Sequence, residues 1–244
     1  MNITIRSRQH KRKWMPFEHE KPDISGKTSH KGADIIARQF LKILLGLAIY
    51  SFGVYLTIYA NIGLAPWDCL AVGISLHTPL SYGGAMAAIS LIAIIIQLIL
   101  HERIGIATLL DAVITGNLTQ LFLSDSANLR SRNIGLNISF MLFGFLFIAL
   151  GMFVYMSAEQ GCGPKDGLLI AIGKRLPKIP IGIVEILLWA VVALIGWMLG
   201  GTVGIGTLIS VLGAGAVMHL FYSVIHFEPR ELHHRSITET LHRR

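Results

Sequence analysis

The chain has 244 residues, 53% of them hydrophobic and only 14% charged, and carries a net charge of +7. That is the composition of a membrane protein, with its charges crowded into the termini and a few short connections. Two cysteines, Cys69 and Cys162, give no basis for a disulfide framework or a metal site.

Residues 1–39 are polar and basic, and too poor in apolar side chains to offset the entropy of ordering, so they read as a retained cytoplasmic tail without a fold of its own. Arg6, Arg8, Lys11, Arg12 and Lys13 sit in it beside Trp14. A contact with anionic lipid is one reading of this run. The simpler one is that it holds the N-terminus in the cytoplasm by the positive-inside rule. No nucleic-acid partner is expected.

Six apolar stretches follow that approach the roughly 20 residues needed to cross a hydrocarbon core of about 30 Å. They run from Leu41 to Ala60, Gly83 to Leu100, Ile104 to Leu123, Leu136 to Ala158, Ile181 to Gly200 and Val203 to His226. Between the first and second lies GLAPWDCL, Gly63 to Leu70, and between the fourth and fifth GCGPKDGL, Gly161 to Leu168. These are two copies of Gly-x-x-Pro-x-Asp-x-Leu. At one spacing Gly46 falls on Gly144, Gly53 on Gly151, Gly63 on Gly161, Pro66 on Pro164 and Asp68 on Asp166. After one inserted residue Gly105 meets Gly204, Thr108 meets Thr207 and Gly116 meets Gly215. Many transporters are built from two copies of one unit. The chain therefore divides into repeat 1 (40–126), a connection (127–135), repeat 2 (136–227) and a cytoplasmic tail (228–244).

In each copy Gly63 or Gly161 precedes a proline, Pro66 or Pro164, suited to the first turn of a helix, where its missing N–H is no loss. The aspartate two positions on sits against the positive end of the helix dipole. The helices so begun, about Asp68 to Leu76 and Asp166 to Gly173, cover about half the hydrocarbon at 1.5 Å per residue. The expected fold is thus an all-α polytopic membrane protein of two repeats, each with three transmembrane helices plus one short re-entrant or half helix. That makes six spans and inverted repeats. If the short helices cross completely there are eight spans and parallel repeats. Lysines and arginines in the connections do not separate the two; helix length selects six.

Acidic groups inside a bilayer are costly and usually functional. The candidates for a substrate or ion pathway are Asp68, Asp166, Asp111 and Glu185. Helix capping is the alternative role for the matched pair Asp68 and Asp166. Asp111 and Glu185 break the repeat, matching Ser210 and Ala87, and are less readily explained as scaffolding; Asn117, Thr115 or His219 are neighbours that would satisfy Asp111. Thr108 and Thr207, near helix starts, read as local backbone caps. His233, His234 and His242 have no ligand spacing, so neither a metal nor a cofactor is expected. Phosphate-cradling, Gly-x-Ser-x-Gly and His-Glu metalloprotease motifs are missing, and no catalytic residue is assigned.

Gly63-Leu-Ala-Pro-Trp-Asp-Cys-Leu70, followed by Ser81-Tyr82-Gly83-Gly84 and Ile104-Gly-Ile-Ala-Thr108, resembles the bacterial integral membrane proteins grouped as YczE/YyaS/YitT-like. The likeness covers roughly residues 40–226, and the second copy departs from it with Lys165 in place of tryptophan. It implies a multi-pass protein of the bacterial plasma membrane, with the lipid bilayer as its surroundings. The functional expectation is a secondary transporter for a small solute, with proton coupling through Asp111 and the half-helix aspartates. The competing class is a membrane scaffold acting through the basic head. Oligomeric state is not legible in the sequence.

Overall fold

A computed structural model describes residues 29–125 and 133–225. Within them the fold is all-helical: α1 (Ser29–Tyr59), α2 (Pro66–His77), α3 (Tyr82–Ile99), α4 (Ile106–Asp125), α5 (Ile134–Met156), α6 (Pro164–Arg175), α7 (Ile181–Met198) and α8 (Ile205–Val224). Six of these, all but α2 and α6, are long and apolar enough to cross a membrane. Large apolar side chains such as Leu91, Ile95, Leu187, Val191, Leu212 and Leu220 point outward, as lipid-facing helices require.

The expected spans lie within a few residues of the observed helices, with two differences. α1 begins at Ser29, inside the stretch assigned to an unfolded tail; its apolar part starts at Ala37, so the first turns extend the span beyond its hydrocarbon-matched length. The short helices are 12 residues each rather than eight or nine, because they start at the prolines and run on to His77 and Arg175. At 1.5 Å per residue they reach about 18 Å, still short of a crossing. The histidines of the C-terminal tail and the basic run before Trp14 lie outside the described residues.

α1 and α5 form the central seam. A Cβ placed on Gly46 would lie 2.9 Å from the Gly151 carbonyl oxygen, and one on Gly151 would lie 2.7 Å from that of Gly46. Gly53 and Gly144 oppose each other in the same way, at 2.7 and 2.8 Å. Because 46 meets 151 while 53 meets 144, the helices run antiparallel. Backbones approach this closely only where side chains are missing, and close packing replaces the hydrophobic drive that lipid does not supply between helices.

Several helices at matching places in the chain have the same length. α3 and α7 both have 18 residues, α4 and α8 both 20. Each long helix before a short one ends in the same turn: Asn61 and Glu159 have φ of 51° and 57°, Gly63 and Gly161 of 121° and 115°. Glycine is needed at the latter two, since a side chain rarely adopts that φ. The turns are held by the opposite half. Gly206 N–H donates to Ile62 O at 2.7 Å and Ala107 N–H to Gln160 O at 3.0 Å. Thr207 Oγ1 donates to Leu64 O and Thr108 Oγ1 to Cys162 O, both at 2.7 Å. These threonines do more than cap their own helices: they tie the α8 and α4 starts to the turns preceding α2 and α6.

The short helices likewise lie on partners from the other half. Gly196 of α7 sits against the backbone of Cys69 and Leu70, and Gly73 against Leu199, so α2 runs alongside α7 in the same direction. α6 packs on α3, where Gln97 Nε2 donates to Pro164 O at 2.8 Å. At the far end Lys174 pairs with Glu102 at 2.6 Å.

Candidate functional site

The N-terminal turns of both short helices open on one cavity of about 120 Å³. α2 contributes Trp67 and Asp68, α6 contributes Lys165 and Asp166, α7 contributes Glu185 and Trp189, α1 contributes Tyr50, and α8 contributes Ser210. Three of the four acids expected to mark a pathway therefore share one wall-enclosed space, although they are up to 117 positions apart in sequence (185 minus 68).

Asp68 is buried, at 5% exposure. Neither α2 nor α6 has a side-chain cap: the cap positions are Ala65 and Gly163, and both helices start with proline. Asp68 stands in the first turn of α2. It accepts a hydrogen bond from Tyr82 Oη at 2.9 Å, which fixes one carboxylate oxygen against the start of α3. α3 is itself capped by Ser81, which accepts from Gly84 N–H at 3.2 Å, and the Gly83 N–H donates to Gln120 of α4 at 2.7 Å.

Asp111 does not line the cavity but stands directly behind it. A Cβ on Gly163 would lie 2.9 Å from Asp111 Oδ2, 3.0 Å from Asp166 Oδ2 and 3.3 Å from Tyr155 Oη. One glycine thus stands between two carboxylates and a phenol, and a side chain there would have to displace at least one of them. Thr115, a turn further along α4, donates a hydrogen bond to the Asp111 carboxylate.

Lys165 is the residue that sequence reasoning passed over, seeing in it only a mismatch to Trp67. It lines the cavity next to Asp166, the only basic side chain among the residues of the wall, and its ammonium lies 3.7 Å from Met86 Sδ. The signal available was that a lysine sits beside an aspartate in the first turn of a half-helix at membrane depth, where charges are costly and usually functional. Among the described residues, no three histidine, cysteine, aspartate or glutamate side chains lie close enough to hold a metal ion.

Six lipid-length helices around a mostly apolar cavity that carries a few charged side chains define a multi-pass integral membrane protein. The chain belongs to the family described as "Family of unknown function (DUF6198)", which matches residues 37–223. It is 32% identical over 184 residues to "Uncharacterized protein YyaS" of Bacillus subtilis (strain 168), covering 74% of this chain and 90% of that one. To "Uncharacterized membrane protein YczE" of the same organism it is 31% identical over 179 residues, covering 71% and 80%. A protein of Haemophilus influenzae (strain ATCC 51907 / DSM 11121 / KW20 / Rd) is 31% identical over 186 residues, covering 75% and 83%. No solved structure matches.

Proposed function

We propose that the protein is a secondary transporter built of inverted repeats, moving a small solute across a bacterial plasma membrane with proton coupling. The observation that carries this reading is the convergence of the two half-helix starts on one cavity. Half-helix termini meeting inside the bilayer present backbone N–H groups and the positive ends of helix dipoles where solute and ion are bound. Non-helical backbone at membrane depth is stable only where protein or a polar cavity surrounds it, and the turns before α2 and α6 meet that condition through the cross-half bonds of Thr207 and Thr108. The antiparallel seam of α1 and α5 supports two oppositely oriented halves. Asp68, Asp166 and Glu185 on the wall, with Asp111 behind it, outnumber the one lysine among them. Such an excess is balanced inside a membrane by protons or by a bound cation, which supports coupling. Both termini are cytoplasmic in this reading, as the basic head favours.

The test is reconstitution of the full chain in liposomes loaded with a pH-sensitive dye, to which a panel of small solutes is added. At least one solute is expected to drive proton movement, and Asp68→Asn and Asp166→Asn each to cut the rate by about 10²-fold, the scale typical of losing a positioned proton-transfer group. Unchanged rates in both variants, or no movement with any solute, would sink the assignment. Removing residues 1–28 addresses the scaffold alternative: flux that survives the deletion places the activity in the membrane part.

A further inference from the structure

The charges on the cavity wall are not evenly satisfied. Asp68 accepts from the Tyr82 hydroxyl, Asp111 behind the wall accepts from Thr115, and the Lys165 ammonium contacts Met86 Sδ. Glu185 has neither a hydrogen bond nor an ion pair with any described residue, yet it is half-buried in the wall of the cavity. Trp189 follows it by four residues on α7, one helical turn along the same face, and lines the same space. Trp67 and Tyr50 add aromatic surface from two other helices.

Each ligand class fares differently against this wall. An anion would meet three carboxylates, Asp68, Asp166 and Glu185, against the single ammonium of Lys165. A metal ion lacks the ligand cluster it needs among the described residues. A neutral solute would leave half-buried Glu185 without a counter-charge. An organic cation supplies the missing charge, and its alkyl groups are attracted to aromatic faces through the ring quadrupole. The volume of about 120 Å³ is well below the roughly 300–1,000 Å³ of sites for drug-sized ligands, so the cation is small.

We propose that the cavity binds a small organic cation, an amine or quaternary ammonium, with Glu185 as its counter-charge and Trp189 as its aromatic wall. This deepens the transporter reading and rests on it for the meaning of the binding. It assigns the solute's charge and size, and it makes Glu185 the specificity residue, leaving the half-helix aspartates to the proton.

The experiment is titration calorimetry on the purified full chain in detergent, using methylammonium, tetramethylammonium and choline. The control for choline is 3,3-dimethylbutan-1-ol, which has its shape without its charge. At least one cation is expected to bind, and choline to bind at least about tenfold more tightly than the alcohol, a difference on the scale of a desolvated cation–aromatic contact plus a counter-charge. Glu185→Gln should weaken cation binding by about tenfold, and Trp189→Leu by a similar factor, while Glu185→Asp retains part of the affinity. Equal binding of choline and the alcohol, full affinity in Glu185→Gln, or no heat with any of the three cations would overturn the proposal. Counterflow of labelled choline in liposomes separates this outcome from that of the transporter reading. Binding without flux keeps the site and removes the transporter; proton-linked flux of another solute with no cation binding does the reverse.

Discussion

Asp68 accepts a hydrogen bond from the hydroxyl of Tyr82, and that contact joins α2 to α3 beside the cavity. Replacing Tyr82 by phenylalanine keeps the ring and removes the donor. The carboxylate would lose a hydrogen bond to a charged acceptor in a buried place, at a cost of about 1–3 kcal/mol. Thermal unfolding of Tyr82→Phe in detergent should show a lower midpoint than the wild type, and an unchanged midpoint would mean that Asp68 is held by something else. Asp68 was visible in the sequence as a candidate because an acid in an apolar run is conspicuous. Its partner was not, because Tyr82 lies 14 positions on, in another helix, and nothing in spacing alone brings a helix start against the side of its predecessor. Lys165 was hidden for a related reason: comparing the two copies draws the eye to what they share, whereas the basic side chain on the cavity wall is one that they do not share.

Among the helices, glycine has two uses that substitution can tell apart. Gly53 and Gly144 face each other across the seam of α1 and α5, whereas Gly182 at the start of α7 has nothing within 4 Å of where a Cβ would be. Gly53→Ala and Gly144→Ala should each destabilise the fold by about 1–3 kcal/mol through overpacking. Gly182→Ala should leave it unchanged or slightly more stable, since alanine is the better helix former by about 1 kcal/mol. The check is the recovery of monodisperse protein and its unfolding midpoint for the three variants; equal behaviour would show that the seam is looser than its geometry implies. Helix positions were legible because apolar length is a strong signal, and the short helices because proline marks their first turn. What escaped was the wiring between halves. Thr108 and Thr207 looked like local caps, and only the folded chain shows that each reaches a carbonyl more than 50 positions away.

For the molecule as a whole, the decisive property is which side each connection faces. Ser124, at the end of α4, and Lys178, between α6 and α7, are both exposed. With the native cysteines replaced by alanine, Ser124→Cys and Lys178→Cys should react with a membrane-impermeant thiol reagent from opposite faces, one in intact cells and the other only after lysis. Reaction from one face would mean parallel halves and eight crossings. Charge counting along the sequence could not decide this, because the basic connections balance equally well in both arrangements. The register of Gly46 on Gly151 and Gly53 on Gly144 speaks to it directly, by setting α1 against α5 head to tail.

Because α2 lies on α7 and α6 on α3, and because each half's turn is bonded to the other's last helix, neither half is complete when its own residues have been made. During synthesis the first four helices enter the bilayer with the backbone around Gly63 and Leu64 still lacking the partners that Thr202, Gly206 and Thr207 will bring. Assembly of this protein therefore belongs to its last fifty residues: a chain that stalls before α8 leaves an open, polar turn in lipid, a state that membrane quality control can recognise and that a finished chain never presents.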